Sequence, residues 1–365
     1  MSAAPHLLPE PILVVGSGLI GTSVALALTR AGAQVLLSDV DQANLDIAVA
    51  AGAGRPLTDG DVPAIVVVAV PPRRAGTVLA EASAQWPAAT LTDVTSVKES
   101  VLAEARALGA DPSRLVGGHP MAGREVSGAA GALASLLDDR IWVVTPLPES
   151  GIEHVRNVHR LITSCGAQPV EMGVREHDDA VALVSHAPQV LSSALAGQLC
   201  PADPDAVRIA GQGLRDMTRI AASNTALWTD ILVSNAGPVA DVLDRIAATL
   251  DRTAAALRRT ASGELVEESA VADLLVDGVN GQARIPGKHG AAPSSYREVL
   301  VQIADRPGEL GRLFTAVAEA GINLEDIRIE HVLGRPSGLV GLSVRPESGD
   351  AMIEALRARD FDVRG

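Results

Sequence analysis

Two short segments carry residue types and spacings suited to chemistry. Gly16-Ser17-Gly18-Leu19-Ile20-Gly21 follows the apolar run Ile12-Leu13-Val14-Val15, and Gly118-His119-Pro120-Met121-Ala122-Gly123 lies much further along the chain. In the first, the G-x-G-x-x-G spacing between a strand and a helix permits a tight turn at Gly16. It also lets a pyrophosphate approach the backbone at Gly18 and lets helix and strand pack closely at Gly21. The amides of this loop, through Ser17, Leu19 and Ile20, and the helix dipole then face a diphosphate. Asp39 ends the next apolar run, where its carboxylate would accept bonds from ribose hydroxyls and repel a 2′-phosphate. No Arg or Lys follows in Val40-Asp41-Gln42, so NAD is favoured over NADP. His119, expected on a turn, supplies an imidazole able to take a proton near neutral pH. A dinucleotide cradle plus a histidine base implies hydride transfer from a carbon that bears a hydroxyl.

The elements that must position these groups follow from hydrophobic patterning. Short apolar runs at 11–16, 33–39, 64–70, 90–94, 115–118 and 141–145 alternate with helical stretches at 19–31, 73–84 and 97–108. Alternation with near-continuous apolar strands predicts a Rossmann-type parallel sheet covered on both faces, placed at 10–172. From 174 the strand signals stop. Helical periodicity at 174–198, 204–212 and 225–260, with Leu243, Ile246, Leu250 and Leu257 recurring, predicts an all-helical domain over 173–277. The Gly/Pro/Ala-rich segment 278–295 reads as a linker. Residues 296–365 then read as strand, helix, strand, strand, helix.

Composition narrows the partners. The 365 residues carry 30 Lys+Arg against 44 Asp+Glu, a net charge of -14, and such a balance argues against nucleic acid and anionic membranes, which need clustered cations. The N-terminus lacks a basic, then apolar, leader, and no uninterrupted apolar stretch reaches membrane-spanning length, so a soluble cytoplasmic protein is expected. Cys165 and Cys200 are isolated and read as reduced thiols in or near cores, and no metal site is expected. Taken alone, Ser96 reads as the cap of a helix beginning at Val97, and Arg215 and Arg219 as the polar face of a helix.

Four motifs in order change that reading: V-G-x-G-L-I-G at 15–21, D-V-T-S-V-K at 93–98, G-H-P-M-A-G at 118–123 and R-D-M-T-R-I-A at 215–221. Through them the chain resembles the prephenate/arogenate dehydrogenases of tyrosine biosynthesis. The resemblance implies NAD-dependent oxidative decarboxylation of a cyclohexadienol, from prephenate to 4-hydroxyphenylpyruvate. It implies His119 as catalytic base or polariser, Ser96 as the group orienting it, and Arg219 as the clamp on a substrate carboxylate. Asp216 would hold Arg219, His186 would lie near the substrate, and Glu125 would stand at the site entrance. Where many relatives carry a further histidine, this chain has Gln189, which leaves prephenate and its amino analogue arogenate both open. Trp228 is expected in a dimer contact, a pocket wall or the helical core. Asp305-Arg306-Pro307-Gly308-Glu309-Leu310-Gly311-Arg312-Leu313 and the element order around it resemble an ACT domain, implying a homodimer with tyrosine as an effector near Asn323. Two other readings compete. A 3-hydroxyacid dehydrogenase is disfavoured because 174–260 contains no lysine, and a catalytically silent NAD- or amino-acid-sensing protein would need no proton acceptor beside the nicotinamide.

Overall fold

The structure is a computed structural model that describes residues 8–124, 126, 128–263, 268–285, 296–331 and 337–364. It divides into two compact units, Met1–Ala247 and Ala248–Gly365.

The first unit is built on eight strands. They are β1 (Ile12–Val15), β2 (Val35–Ser38), β3 (Arg55–Pro56), β4 (Ile65–Val68), β5 (Thr90–Asp93), β6 (Leu115–Pro120), β7 (Ile141–Pro146) and β8 (Gln168–Glu171), in the order β3-β2-β1-β4-β5-β6-β7-β8. The helices between them are α1 (Leu19–Arg30), α2 (Gln42–Ala50), α3 (Pro72–Gln85), α4 (Glu99–Ala107) and α5 (Ile152–Ser164). Strand residues alternate between two cores. Ile12, Val14, Ile65 and Val67 pack with Val24 and Leu28 of α1 and Val158 and Leu161 of α5. Leu13, Val66 and Val68 pack with Leu79 of α3 and Val101 and Leu102 of α4. Burial on both faces explains why these strands are apolar at every position, each full burial of such a side chain stabilising by roughly 1.5–3 kcal/mol.

The sheet departs from the parallel one expected. β1, β2, β4, β5 and β6 run parallel, but β7 pairs antiparallel with β6, and β8 follows β7 in parallel. The reversal lies between β6 and β7, where the described residues of the intervening chain form no helix long enough to return it to the starting edge. β3 and β8 carry little apolar pattern, being largely exposed at the sheet's ends, and were not legible as strands.

Helices follow: α6 (Val174–Val181), a π-helical turn (Ala182–His186), α7 (Ala187–Gly197), α8 (Pro204–Arg208), α9 (Gln212–Thr218), a 3-10 turn (Arg219–Ala221), α10 (Thr225–Ser234) and α11 (Ala236–Ala261). The expected helix over 174–198 is thus interrupted by a π turn, and that over 204–212 is broken. The run Val174–Gly197 meets the length and composition of a membrane span, with a mean hydropathy of 1.2 over its most apolar window, yet His177 and Asp178 within it are buried against protein. Cys165 is buried as expected, whereas Cys200 is exposed, because it lies in the turn beyond α7 rather than in a core.

The second unit begins within α11 and continues with α12 (Glu268–Gln282), β9 (Arg297–Ala304), α13 (Glu309–Glu319), β10 (Asp326–His331), β11 (Ser337–Val344), α14 (Gly349–Arg357) and β12 (Asp362–Arg364). The strands form an antiparallel sheet in the order β10-β11-β9-β12, the ferredoxin-like arrangement, over a core of Val299, Val301, Leu313, Val340, Leu342 and Leu356. The segment read as a linker from 278 is helical as far as Gln282, and 286–295 lie outside the described residues.

Candidate active site

The strand order reverses about β1, with β2 on one side and β4 on the other, so a crevice opens at the carboxyl ends of these strands. The glycine loop occupies that end of β1. Gly16 has φ +102°, and an added Cβ would lie 2.4 Å from the Ala69 carbonyl oxygen. A Cβ on Gly21 would lie 1.9 Å from the Gly16 carbonyl oxygen, which shows how tightly α1 meets the loop. Gly18 has nothing within 4 Å of its Cβ direction, leaving its backbone open to a ligand. No side chain caps the N-terminus of α1 at Gly18, and the buried hydroxyls of Ser17 and Thr22 lack hydrogen-bond partners among the described residues. Asp39 stands beside this loop, accepting from the Ser17 amide through Oδ2 and from the Asp41 amide at 2.8 Å through Oδ1. Open backbone, an unsatisfied helix N-terminus and an adjacent carboxylate suit a dinucleotide.

β6 runs parallel to β5, so His119, near its end, emerges at the same edge of the sheet. The histidine is therefore on a strand, paired with Val143, and not on a turn: Pro120 and the pairing with β7 extend β6 through it. Close packing beneath it requires glycine. A Cβ on Gly118 would lie 2.7 Å from the Asp93 carbonyl oxygen and 2.8 Å from Trp142 Nε1.

Lys98, fully buried with Asp93, ties the strand ends together. Its Nζ donates to Asp93 Oδ2, to Thr95 Oγ1 at 3.0 Å and to the Gly118 carbonyl at 2.7 Å, three acceptors for the three protons of an ammonium. Burial pushes the Lys98 pKa down and the Asp93 carboxylate opposes that shift. Asp93 also accepts from the Thr95 amide at 3.0 Å, the Thr95 hydroxyl and the Gly118 amide at 3.3 Å.

The helical segment supplies groups that sequence reasoning missed. His119 Nδ1 lies 2.8 Å from Nε2 of the buried His177, whose Nδ1 lies 2.7 Å from Asp178 Oδ1. Asp178 accepts the backbone amides of Lys98 and Glu99, each at 2.8 Å, and so caps α4 from a distance. Ser96 is not that cap: the helix begins at Glu99, and Asp178 rather than any local side chain satisfies its first amides. Ser96 lies half-buried in the preceding turn, and the contact that holds the His119 ring is His177. Asn235, buried, donates from Nδ2 to the Asp178 carbonyl at 2.8 Å, which fixes its amide orientation. That same Nδ2 lies 3.1 Å from His186 Nδ1, which must therefore accept, leaving the proton of neutral His186 on Nε2. Trp228 stands edge-on to the His186 ring at 6.2 Å and packs on the α3/α4 core. The adjacent acid and histidine at 177–178, opening a predicted helix, were the one sequence signal for this cluster.

Desolvation holds His119 well below the ordinary imidazole pKa, reinforced by His177, Lys98 and His186. Desolvation likewise lowers His186 to about 4, with Asp178 opposing. Both rings are neutral at pH 7. Arg219 lies exposed in the 3-10 turn, which buried Gln189 anchors by donating from Nε2 to the Ile220 carbonyl at 3.0 Å. Asp216, expected to hold Arg219, accepts from Gln212 Nε2 at 2.8 Å, one helical turn earlier. Glu125 lies outside the described residues. Among the described residues no group of His, Cys, Asp and Glu could hold a metal ion.

A Rossmann-type sheet with an open glycine loop, followed by helices that surround a neutral histidine, defines a dinucleotide-dependent dehydrogenase. Comparison with known proteins gives the family. Residues 24–171 match the model of the prephenate dehydrogenase nucleotide-binding domain and 174–269 that of the prephenate dehydrogenase dimerisation domain. The probable prephenate dehydrogenase NovF of Streptomyces niveus is 34% identical over 96% of this chain and 98% of its own. Among solved structures, prephenate dehydrogenase from A. aeolicus in complex with hydroxyphenyl propionate and NAD+ is 26% identical with a TM-score of 0.68, covering 76% of this chain and 99% of that one. Synechocystis arogenate dehydrogenase is 27% identical with a TM-score of 0.63, covering 74% and 98%. The chain belongs to the prephenate dehydrogenase family of NAD-dependent oxidoreductases.

Proposed function

We propose that this chain oxidises and decarboxylates prephenate, using NAD, to 4-hydroxyphenylpyruvate in tyrosine biosynthesis. The observation that carries the reading is His119: a desolvated imidazole, neutral at physiological pH, at the edge of the sheet where the glycine loop opens. The A. aeolicus relative is a complex with hydroxyphenyl propionate and NAD+, a hydroxyphenyl carboxylate and the dinucleotide proposed here, which supports the reading.

Gly16, Ser17, Gly18, Leu19, Ile20 and Gly21 would hold the pyrophosphate and Asp39 the adenosine ribose. When bound, NAD accepts the hydride from C4 of the substrate. His119 takes the C4 hydroxyl proton as that hydride leaves, so the C–O bond becomes a carbonyl. The ring carboxylate then departs as carbon dioxide, its bonding pair aromatises the ring, and His119 returns the proton to the phenolate oxygen. Prephenate and NAD+ thus become 4-hydroxyphenylpyruvate, carbon dioxide and NADH with no net proton change. Ser96 hydrogen-bonds the same hydroxyl, and Arg219, held by Asp216, receives a carboxylate through its planar fork, with Glu125 taken as the acid at the site entrance. His186 donates from Nε2 to an oxygen of the substrate, as a neutral ring fixed by Asn235 does.

The domains are read as a dinucleotide-binding domain at 10–172, a substrate and dimerisation domain at 173–277 through which the chain forms a homodimer, and an ACT domain at 296–365. The ferredoxin-like order of the C-terminal sheet supports the last. Tyrosine is its proposed effector, near Asn323, which donates to Glu325 at 3.2 Å. The enzyme is read as soluble and cytoplasmic.

NADH formation at 340 nm with prephenate and with arogenate, for wild type and His119→Asn, tests this. Prephenate turnover that falls roughly 10²–10⁴-fold in the variant supports both reaction and base. Turnover with arogenate alone would keep the mechanism and change the substrate, for which the similarity to the Synechocystis arogenate dehydrogenase is the supporting observation. Unchanged rates in saturating tyrosine would remove the effector.

A further inference from the structure

We infer that His177 and Asp178 form a relay that sets the tautomer of His119 and steadies its charge when it takes the substrate proton. The inference rests on the reading of His119 as the base and assigns positioning roles to two residues that never touch substrate.

Its logic is a chain of donors and acceptors. Asp178 accepts two backbone amides at the N-terminus of α4, at 2.8 Å each, one on each of its oxygens. A carboxylate cannot donate, so the 2.7 Å contact between Asp178 Oδ1 and His177 Nδ1 places a proton on Nδ1. With His177 taken as a neutral imidazole, its Nε2 carries only a lone pair. The 2.8 Å contact from that atom to His119 Nδ1 must in turn be donated by His119. His119 therefore carries its proton on Nδ1 and presents a bare Nε2, the atom that can accept the C4 hydroxyl proton. The opposite tautomer would offer an N–H to that hydroxyl and could take no proton.

The same chain acts during the reaction. Once Nε2 is protonated, His119 is a cation in a desolvated site, and its Nδ1–H already donates to an imidazole polarised by a carboxylate, so no group need reorient. The connections also explain why residues so far apart in sequence share one site. Asp178 ties His177 to the start of α4, and the Lys98 amide it accepts belongs to the residue whose Nζ holds the Gly118 carbonyl, next to His119.

Two substitutions of His177 separate relay from filling. In His177→Gln the side-chain oxygen reaches the position of Nε2 and can still accept from His119. In His177→Asn the amide stays near Asp178 but falls short of His119. The relay predicts that kcat falls roughly 10²-fold in His177→Asn and is largely restored in His177→Gln, while KM for prephenate and the NADH affinity read by fluorescence stay near wild type. Equal losses in the two variants, or a His177→Asn enzyme with wild-type kcat, would overturn it. A second measurement does not depend on either His177 variant folding: in 15N-histidine-labelled wild type, the resonances lost in His119→Asn should report a proton on Nδ1, and a proton on Nε2 refutes the relay. If His119→Asn itself leaves kcat unchanged, the base reading fails instead, so the two failures are distinct.

Discussion

Replacing Lys98 by methionine keeps most of the stem's volume and deletes one buried charge. Three acceptors lose their donor at once: Asp93 Oδ2, Thr95 Oγ1 and the Gly118 carbonyl. Asp93, with no exposed surface, retains the Thr95 amide and hydroxyl and the longer 3.3 Å bond from the Gly118 amide, none of which carries a compensating charge. Breaking a buried pair from one side costs roughly 3–5 kcal/mol, a large share of the 5–15 kcal/mol by which domains are stable. For a domain the size of the first unit, each kcal/mol shifts the melting temperature by about 2–4 °C, so a fall of roughly 6–20 °C is expected by calorimetry or circular dichroism. Arg106→Ala is the control, because the Arg106–Glu149 pair is 46% and 43% exposed and a surface pair contributes about 0–1 kcal/mol. The double variant Lys98→Met/Asp93→Asn should lose less than the two single losses added, since the second change removes the stranded charge. A Lys98→Met protein melting with the Arg106→Ala control would refute the claim that this pair holds the ends of β5 and β6 together.

Two further outcomes are expected. Gly18→Ala should leave melting unchanged and weaken NADH binding, because its Cβ meets only open space where the pyrophosphate would lie, whereas Gly21→Ala should lower both, with its Cβ placed 1.9 Å from the Gly16 carbonyl oxygen. Equal melting temperatures for both variants would count against the loop geometry. Because His119 must be neutral to accept a proton and its pKa is depressed, kcat/KM for prephenate should be flat through neutrality and decline only as pH falls through a value below 6.5. An acid limb with an apparent pKa above 6.5 would show that the histidine is not desolvated as described.

The chain's own order of residues determined the cofactor loop and the strands that carry it. Gly16, Gly18, Gly21 and Asp39 act through backbone turns and strand ends within one β-α-β unit, and such local geometry is written in spacing. His119 was legible as a residue through the G-H-P-M-A-G motif at 118–123 and the family it resembles. Its setting was not. The direction of β7 depends on which edge the chain reaches after β6, and apolar runs read alike in either direction. Ser96 looked like a helix cap because capping is normally local, yet the cap of α4 arrives from Asp178, about eighty residues away. His177, Asp178, Asn235 and Lys98 each resemble ordinary helix or turn residues in sequence. Only the approach of α6, and of Asn235 between α10 and α11, to the turn after β5 and the end of β6 buries them together, and burial is what turns four common polar side chains into a site that must satisfy every donor and acceptor it holds.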